Sequence, residues 1–169
     1  MSAAISTGDT GTAIRLLEAD GSLIQACDRG GATPLHIAAQ ENDAELVAWL
    51  LSRRANVRKE DSRGFTALDR AALAADPRNR NARRFPAVAK LLLEHGAETT
   101  IRAAVSLADA SRVLELLRAD PELLRQTGQN GGLLNLAVNH GHVEMVRLRP
   151  DLGADPDERT MLEELEEPR

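Results

Sequence analysis

The chain repeats itself. The segment Gly31-Ala32-Thr33-Pro34-Leu35-His36-Ile37-Ala38-Ala39 returns 33 positions later as Gly64-Phe65-Thr66-Ala67-Leu68-Asp69-Arg70-Ala71-Ala72, and 99 positions later, more loosely, as Leu134-Asn135-Leu136-Ala137-Val138. A second block, Glu45-Leu46-Val47-Ala48-Trp49-Leu50-Leu51, recurs at residues 87–93, 111–117 and 144–148, and Thr12-Ala13-Ile14-Arg15-Leu16-Leu17 supplies an N-terminal copy. Repetition at this period predicts a row of small units, each burying its apolar face only against its neighbours. Five units are expected, at about residues 1–27, 28–60, 61–98, 99–127 and 128–156.

Each unit carries the signals of two short helices. Thr33 can cap a helix whose first turn accepts Pro34, because the proline lacks an N–H where no intrahelical acceptor exists. Leu35, Ala38 and Ala39 then fall on one face, and the alanines let neighbouring helices approach closely. The return helix places Leu46, Val47, Leu50 and Leu51 inward, with Leu92-Leu93 and Leu116-Leu117 as later copies. Gly96 and Gly153 stand where a left-handed C-cap is expected. Helices of about ten residues are marginal alone, so adjacent units must hold one another in place. Aromatic residues make up only 2% of the chain, which tells against a β-sandwich or barrel. The predicted class is all-α.

The Thr-Pro-Leu-His segment, the small residues after it, the double leucine, and Gly96-Ala97-Glu98 and Gly153-Ala154-Asp155 are similar to the ankyrin repeat, with Arg54-Ala55-Asn56 carrying Arg in place of glycine. The resemblance covers about residues 3–156. It implies a slightly curved solenoid with short projecting β-hairpin fingers, whose concave side binds another macromolecule. It also implies that the His36 imidazole bonds the neighbouring finger's backbone. Fingers are expected at 28–32, 61–65 and 127–132. The C-terminal half resembles bacterial members that continue past an Asp155-Pro156-Asp157-Glu158-Arg159 segment, which would make this chain a truncation or one piece of a longer solenoid.

Three departures stand out. The third unit holds an insert, 75–86, bounded by Pro77 and Pro86 and otherwise polar, which predicts an exposed interhelical loop. The next unit has too few residues between Gly96-Ala97 and Thr100 for a finger, so one finger is missing. In the fifth unit Arg149-Pro150 occupies the double-leucine place and should end the helix near Leu148. Residues 157–169, beyond the repeats, form either an acidic capping helix or a disordered tail.

Charge and cysteine usage narrow the chemistry. Net charge is −5, with eight acids against two Arg in residues 151–169 and a nearly neutral body before them. Arg outnumbers Lys 19 to 2, which reads mainly as a compositional bias. The lone Cys27 can form no internal disulfide and excludes a cysteine metal cage. No apolar run reaches bilayer length, and the N-terminus lacks a secretory pattern, so a cytoplasmic, membrane-free monomer is expected.

Candidate reactive residues favour structural readings. His36 has no convincing catalytic set with Cys27 or Asp69. His140 and His142, with Asp155 or Asp157, are weak metal ligands, since Asn139-His140-Gly141-His142 fits an interhelical turn. Asp109 and Ser111 read as helix caps, and no phosphate loop or dinucleotide fingerprint occurs. Trp49 aligns with a leucine of the return helix and reads as core. The expected activity is therefore non-catalytic protein binding, without cofactor or metal. The partner contacts are Arg29 and Gly30 of the first finger, Ser62, Arg63 and Phe65 of the second, Gln129 and Asn130 of the third, and Gln40, Arg70 and Leu73 on the inner helices. Arg78, Arg80, Arg83 and Arg84 of the insert form a secondary basic site, able to meet an acidic partner or the chain's own Glu163 to Glu167. Two alternatives are a hydrolase-like cleft around Asp69, His36 and Arg102, and anion or nucleic-acid binding through the arginine loop.

Overall fold

In the computed structural model the described residues are 2–74, 85–125 and 137–138, and no strand occurs among them. Four successive helix hairpins are formed by α1 (Ser2–Ser6) with α2 (Thr10–Ala19), α3 (Pro34–Gln40) with α4 (Ala44–Ser52), α5 (Ala67–Ala74) with α6 (Phe85–Glu94), and α7 (Ile101–Ser106) with α8 (Ala110–Ala119). Short 3₁₀ turns, Gly21–Ile24 and Pro121–Arg125, follow α2 and α8. Helices α1, α3, α5 and α7 lie side by side as an inner row, and α2, α4 and α6 form an outer row. Each helix thus finds in its neighbours the apolar partner that it is too short to do without.

Local chemistry sets each hairpin. Three return helices begin at an aspartate whose carboxylate accepts a backbone N–H at 3.0 Å: Asp9 from Thr12, Asp43 from Leu46 and Asp109 from Arg112. These bonds satisfy donors that the first turn would otherwise leave open. Ser111, expected as a cap beside Asp109, lies instead inside α8, because the aspartate already fills the capping place. Before each aspartate the backbone turns left-handed, at Gly8 (φ 74°), Asn42 (φ 57°) and Ala108 (φ 56°). After the return helices Gly96 does the same at φ 84°, and Arg54 does so at φ 61° in the place where a glycine is absent.

The insert does fall between the two helices of the third hairpin, α5 and α6, but it ends earlier than the proline pattern suggests. Phe85 and Pro86 belong to the first turn of α6, where a proline costs no hydrogen bond. Residues 75–84, including Arg78, Arg80, Arg83 and Arg84, lie outside the described residues. So do Gln129 and Asn130, expected in a third finger, His140 and His142, Arg149 with Pro150, and residues 157–169.

Leu35, Ala38 and Ala39 of α3 and their counterparts Leu68, Ala71 and Ala72 of α5 are fully buried. The double leucines are not all inward. Leu50 and Leu51 are both buried, whereas Leu16 is 40% and Leu93 42% exposed. Leu16 belongs to the first hairpin, and α6 and α8 belong to different hydrophobic clusters. One cluster runs from Ile5 through Leu92 to Ala103, and the other gathers Ile101, Ala104, Val105, Val113, Leu117 and Ala137. Trp49 is half-buried against the first cluster, with the Arg53 guanidinium 4.8 Å from its ring centre.

Candidate functional site

The segments at 28–32 and 61–65 are two tight turns built alike. In the first, Asp28 Oδ1 accepts N–H bonds from Gly30 (2.8 Å) and Ala32 (2.9 Å), and in the second Asp61 Oδ1 accepts them from Arg63 (2.8 Å) and Phe65 (3.1 Å). Each is also closed by its own backbone, Asp28 N–H to Ala32 O and Asp61 N–H to Phe65 O, both 2.9 Å. The turns are tied to each other where Ser62 donates to Gly30 O, from its N–H at 3.0 Å and its hydroxyl at 2.7 Å. That approach needs Gly31, whose φ of +75° suits glycine and where an added Cβ would lie 2.8 Å from Ser62 N.

His36 fastens α3 to the second turn. Phe65 O can only accept, so the proton sits on Nε2, which donates to it at 3.0 Å, while Nδ1 accepts the Thr33 N–H at 3.1 Å. Burial pushes the imidazole pKa below its ordinary value, against the raising effects of the Phe65 carbonyl and of Asp61; Arg70 adds a further lowering. A depressed histidine contributes stability that is present above the unfolded value of 6.5 and is lost as pH falls through the native value. The melting temperature of the wild type should therefore decline on acidification from pH 7.5 to 5.5. In His36→Gln it should start lower but vary less over that window; parallel curves for the two proteins would contradict this.

At the matching position of the next hairpin stands Asp69, fully buried. A carboxylate can only accept, so it cannot reach a finger carbonyl as His36 does. Its partners are donors: the Thr66 N–H and hydroxyl, both at 2.9 Å, and the Thr100 hydroxyl. The exchange of residue type accompanies the absence of a turn at 97–100. After the turn at residues 95–96, residues 97–100 lead into α7 without a further turn, and Thr100 brings its hydroxyl to Asp69.

Around Phe65 the structure collects three guanidinium groups, with Arg63 and Arg102 each 5.2 Å and Arg70 5.6 Å from the ring centre. Arg70 is held from below: Nε donates to Asp61 Oδ2 at 2.8 Å, Nη2 bonds the same oxygen, and Nη1 donates to Gln40 Oε1 at 3.0 Å. Burial pushes the Asp61 carboxyl upward, but the N–H bonds from Phe65 and Arg63 and the Arg70 contact outweigh it and hold the group below its ordinary range. Arg102 crosses from α7 and donates to Gly64 O at 3.2 Å.

Arg29, Gly30, Ser62 and Arg63 are exposed at the two turn tips, Gln40 is exposed at the end of α3, and Phe65, Arg70 and Leu73 are half-buried. These expected contact residues lie along one row of turns and inner helices. His36, Asp69 and Arg102 each bond a different partner, Phe65 O, Thr66 with Thr100, and Gly64 O, and none of these hydrogen bonds joins one of the three to another. Asp61 and Thr100 carry no signal within a single copy of the repeat. The Asp-x-x-Gly spacing shared by residues 28–31 and 61–64 is what marks the first of them.

Residues 1–103 match the family described as Ankyrin repeats (3 copies). The chain belongs to the ankyrin repeat family. It is 31% identical over 111 residues to ankyrin repeat and SAM domain-containing protein 6 of Rattus norvegicus, covering 65% of this chain and 12% of that protein. It is also 40% identical over 67 residues to the FYVE zinc finger domain protein UPA1 of Mycosarcoma maydis, covering 39% of this chain and 4% of that one. The chain thus spans a small part of the curated relatives it matches. Among solved structures, a chain from the complex of the predatory endopeptidase Bd0816 of Bdellovibrio bacteriovorus with immunity protein Bd3460 shares the fold, with a TM-score of 0.56, 22% identity, and coverage of 91% of this chain and 81% of that chain. No helix among the described residues is long and apolar enough to cross a membrane.

Proposed function

We propose that this chain is a non-catalytic, cytoplasmic protein-interaction module that works as a monomer of five units and grips a protein partner along its turn tips and inner helices. The observation that carries this reading is the lock between Ser62 and Gly30. It holds two exposed tips in fixed register, so little conformational entropy remains to be lost when a partner lies across them. The contact set is Arg29, Gly30, Gln40, Ser62, Arg63, Phe65, Arg70 and Leu73, extended by Gln129 and Asn130, with the loop arginines Arg78, Arg80, Arg83 and Arg84 as a second site. Ankyrin repeats generally serve protein–protein interaction, and the structural neighbour comes from a complex between two proteins. Both support the reading.

The test is affinity capture from the source cells with wild type and with the combined variant Arg29→Ala, Gln40→Ala and Arg63→Ala, whose side chains are exposed. A partner held by wild type should be recovered about tenfold less by the variant, given that a few anchor residues dominate such interfaces. Equal recovery would move the binding face elsewhere.

A further inference from the structure

Among the described residues the row of turns ends at 61–65, and the outer edge of that turn differs from the edge of the first. Gly30 O accepts from Ser62 of the following turn. The equivalent carbonyl 33 residues later, Arg63 O, accepts no hydrogen bond from any described residue. Gly31 is pressed against the next turn, whereas Gly64, with the same left-handed backbone, has only the Glu60 carboxylate nearby, 3.9 Å from the place of a Cβ. The edge is also charged. Of the three arginines around Phe65, Arg70 is neutralised by Asp61, but Arg63 and Arg102 have no carboxylate within ion-pair distance among the described residues. Two guanidinium groups gathered on one ring repel each other and are relieved by an anion placed between them. Their planar forks suit a carboxylate.

Resting on the protein-binding reading above, we propose that the gap beside the 61–65 turn, where residues 97–100 form no turn, is the docking site for an extended acidic segment of the partner protein. A backbone N–H of that segment donates to Arg63 O, as Ser62 N–H does to Gly30 O. A neighbouring Asp or Glu carboxylate is clamped by Arg63 and Arg102 beside Phe65. Nucleic acid fits less well. A chain of net charge −5 offers no broad basic face.

The probe is a fluorescein-labelled peptide Gly-Glu-Asp-Glu-Asp-Gly, compared by anisotropy at low salt with its neutral isostere Gly-Gln-Asn-Gln-Asn-Gly and with a labelled oligothymidine. The full chain should bind the acidic peptide at least about tenfold more tightly than the isostere, and raising the salt should weaken it. Arg63→Ala with Arg102→Ala should weaken it about tenfold or more, and Arg15→Ala, an exposed arginine of α2, should leave it unchanged. Should the double variant melt at a lower temperature, the single Arg63→Ala, an exposed side chain, carries the comparison. Equal binding of the isostere would overturn the proposal, as would undiminished binding by the Arg63 variants or tighter binding of oligothymidine. If the peptide result fails while the capture variant still loses its partner, the binding face stands and only its acidic chemistry falls.

Discussion

Gly31→Ala should lower the stability of the stack by about 3 kcal/mol, while Gly64→Ala, at the same place in the next turn, should cost about 1 kcal/mol. Both glycines hold a left-handed backbone, φ +75° and +71°, and each alanine incurs that strain. Only at Gly31 does the new methyl also meet a neighbour's backbone, 2.8 Å from Ser62 N and 3.3 Å from the Asp61 carbonyl carbon. Backbone cannot step aside as a flexible side chain can, so the two turns must separate and the Ser62 to Gly30 bonds are lost with them. Chemical denaturation of both variants measures the difference. Equal losses would mean that the turns are not packed as described.

Asp61→Ala should cost about 3 kcal/mol, against about 1 kcal/mol for Asp28→Ala. Both carboxylates close a turn through two N–H bonds, but only Asp61 also neutralises Arg70. The Asp61 side chain is 0% and that of Arg70 15% exposed, so removing the acid leaves a largely buried cation without its counter-charge. The pH dependence has a definite sign. A carboxylate held below its ordinary 3.8 adds stability that is present above that value and is lost as pH falls through the lower native pKa. Asp61→Asn should accordingly lose part of the acid-induced destabilisation that the wild type shows below about pH 4. An Asp28→Ala loss as large as that of Asp61→Ala would remove the role assigned to the ion pair.

The repeat, the helix pairs, the proline at the start of α3, the aspartate cap of α8 and the left-handed Gly96 are all legible in the sequence, because each depends on residues close together in the chain. The 33-residue spacing does the rest for the burial of Leu35 and Leu68, since equivalent positions in a stack meet equivalent neighbours. The absence of a turn at 97–100 is also legible, as a simple shortage of residues before Thr100.

What only the tertiary structure decided is which side chains meet across that spacing. Arg63, Arg70 and Arg102 come from a turn and two different helices, and nothing in their order along the chain places all three at Phe65. The exposure of Leu93 beside the burial of Leu51 depends on how neighbouring hairpins are covered, not on the pattern within either helix. Asp69 is the clearest case: as a sequence element it is a histidine position gone acidic, and in the folded chain it is the acceptor for the Thr66 and Thr100 hydroxyls. Local propensity and period determine the elements, because they act within a helix turn. The surface chemistry follows from contacts tens of residues apart, which exist only after the stack has formed.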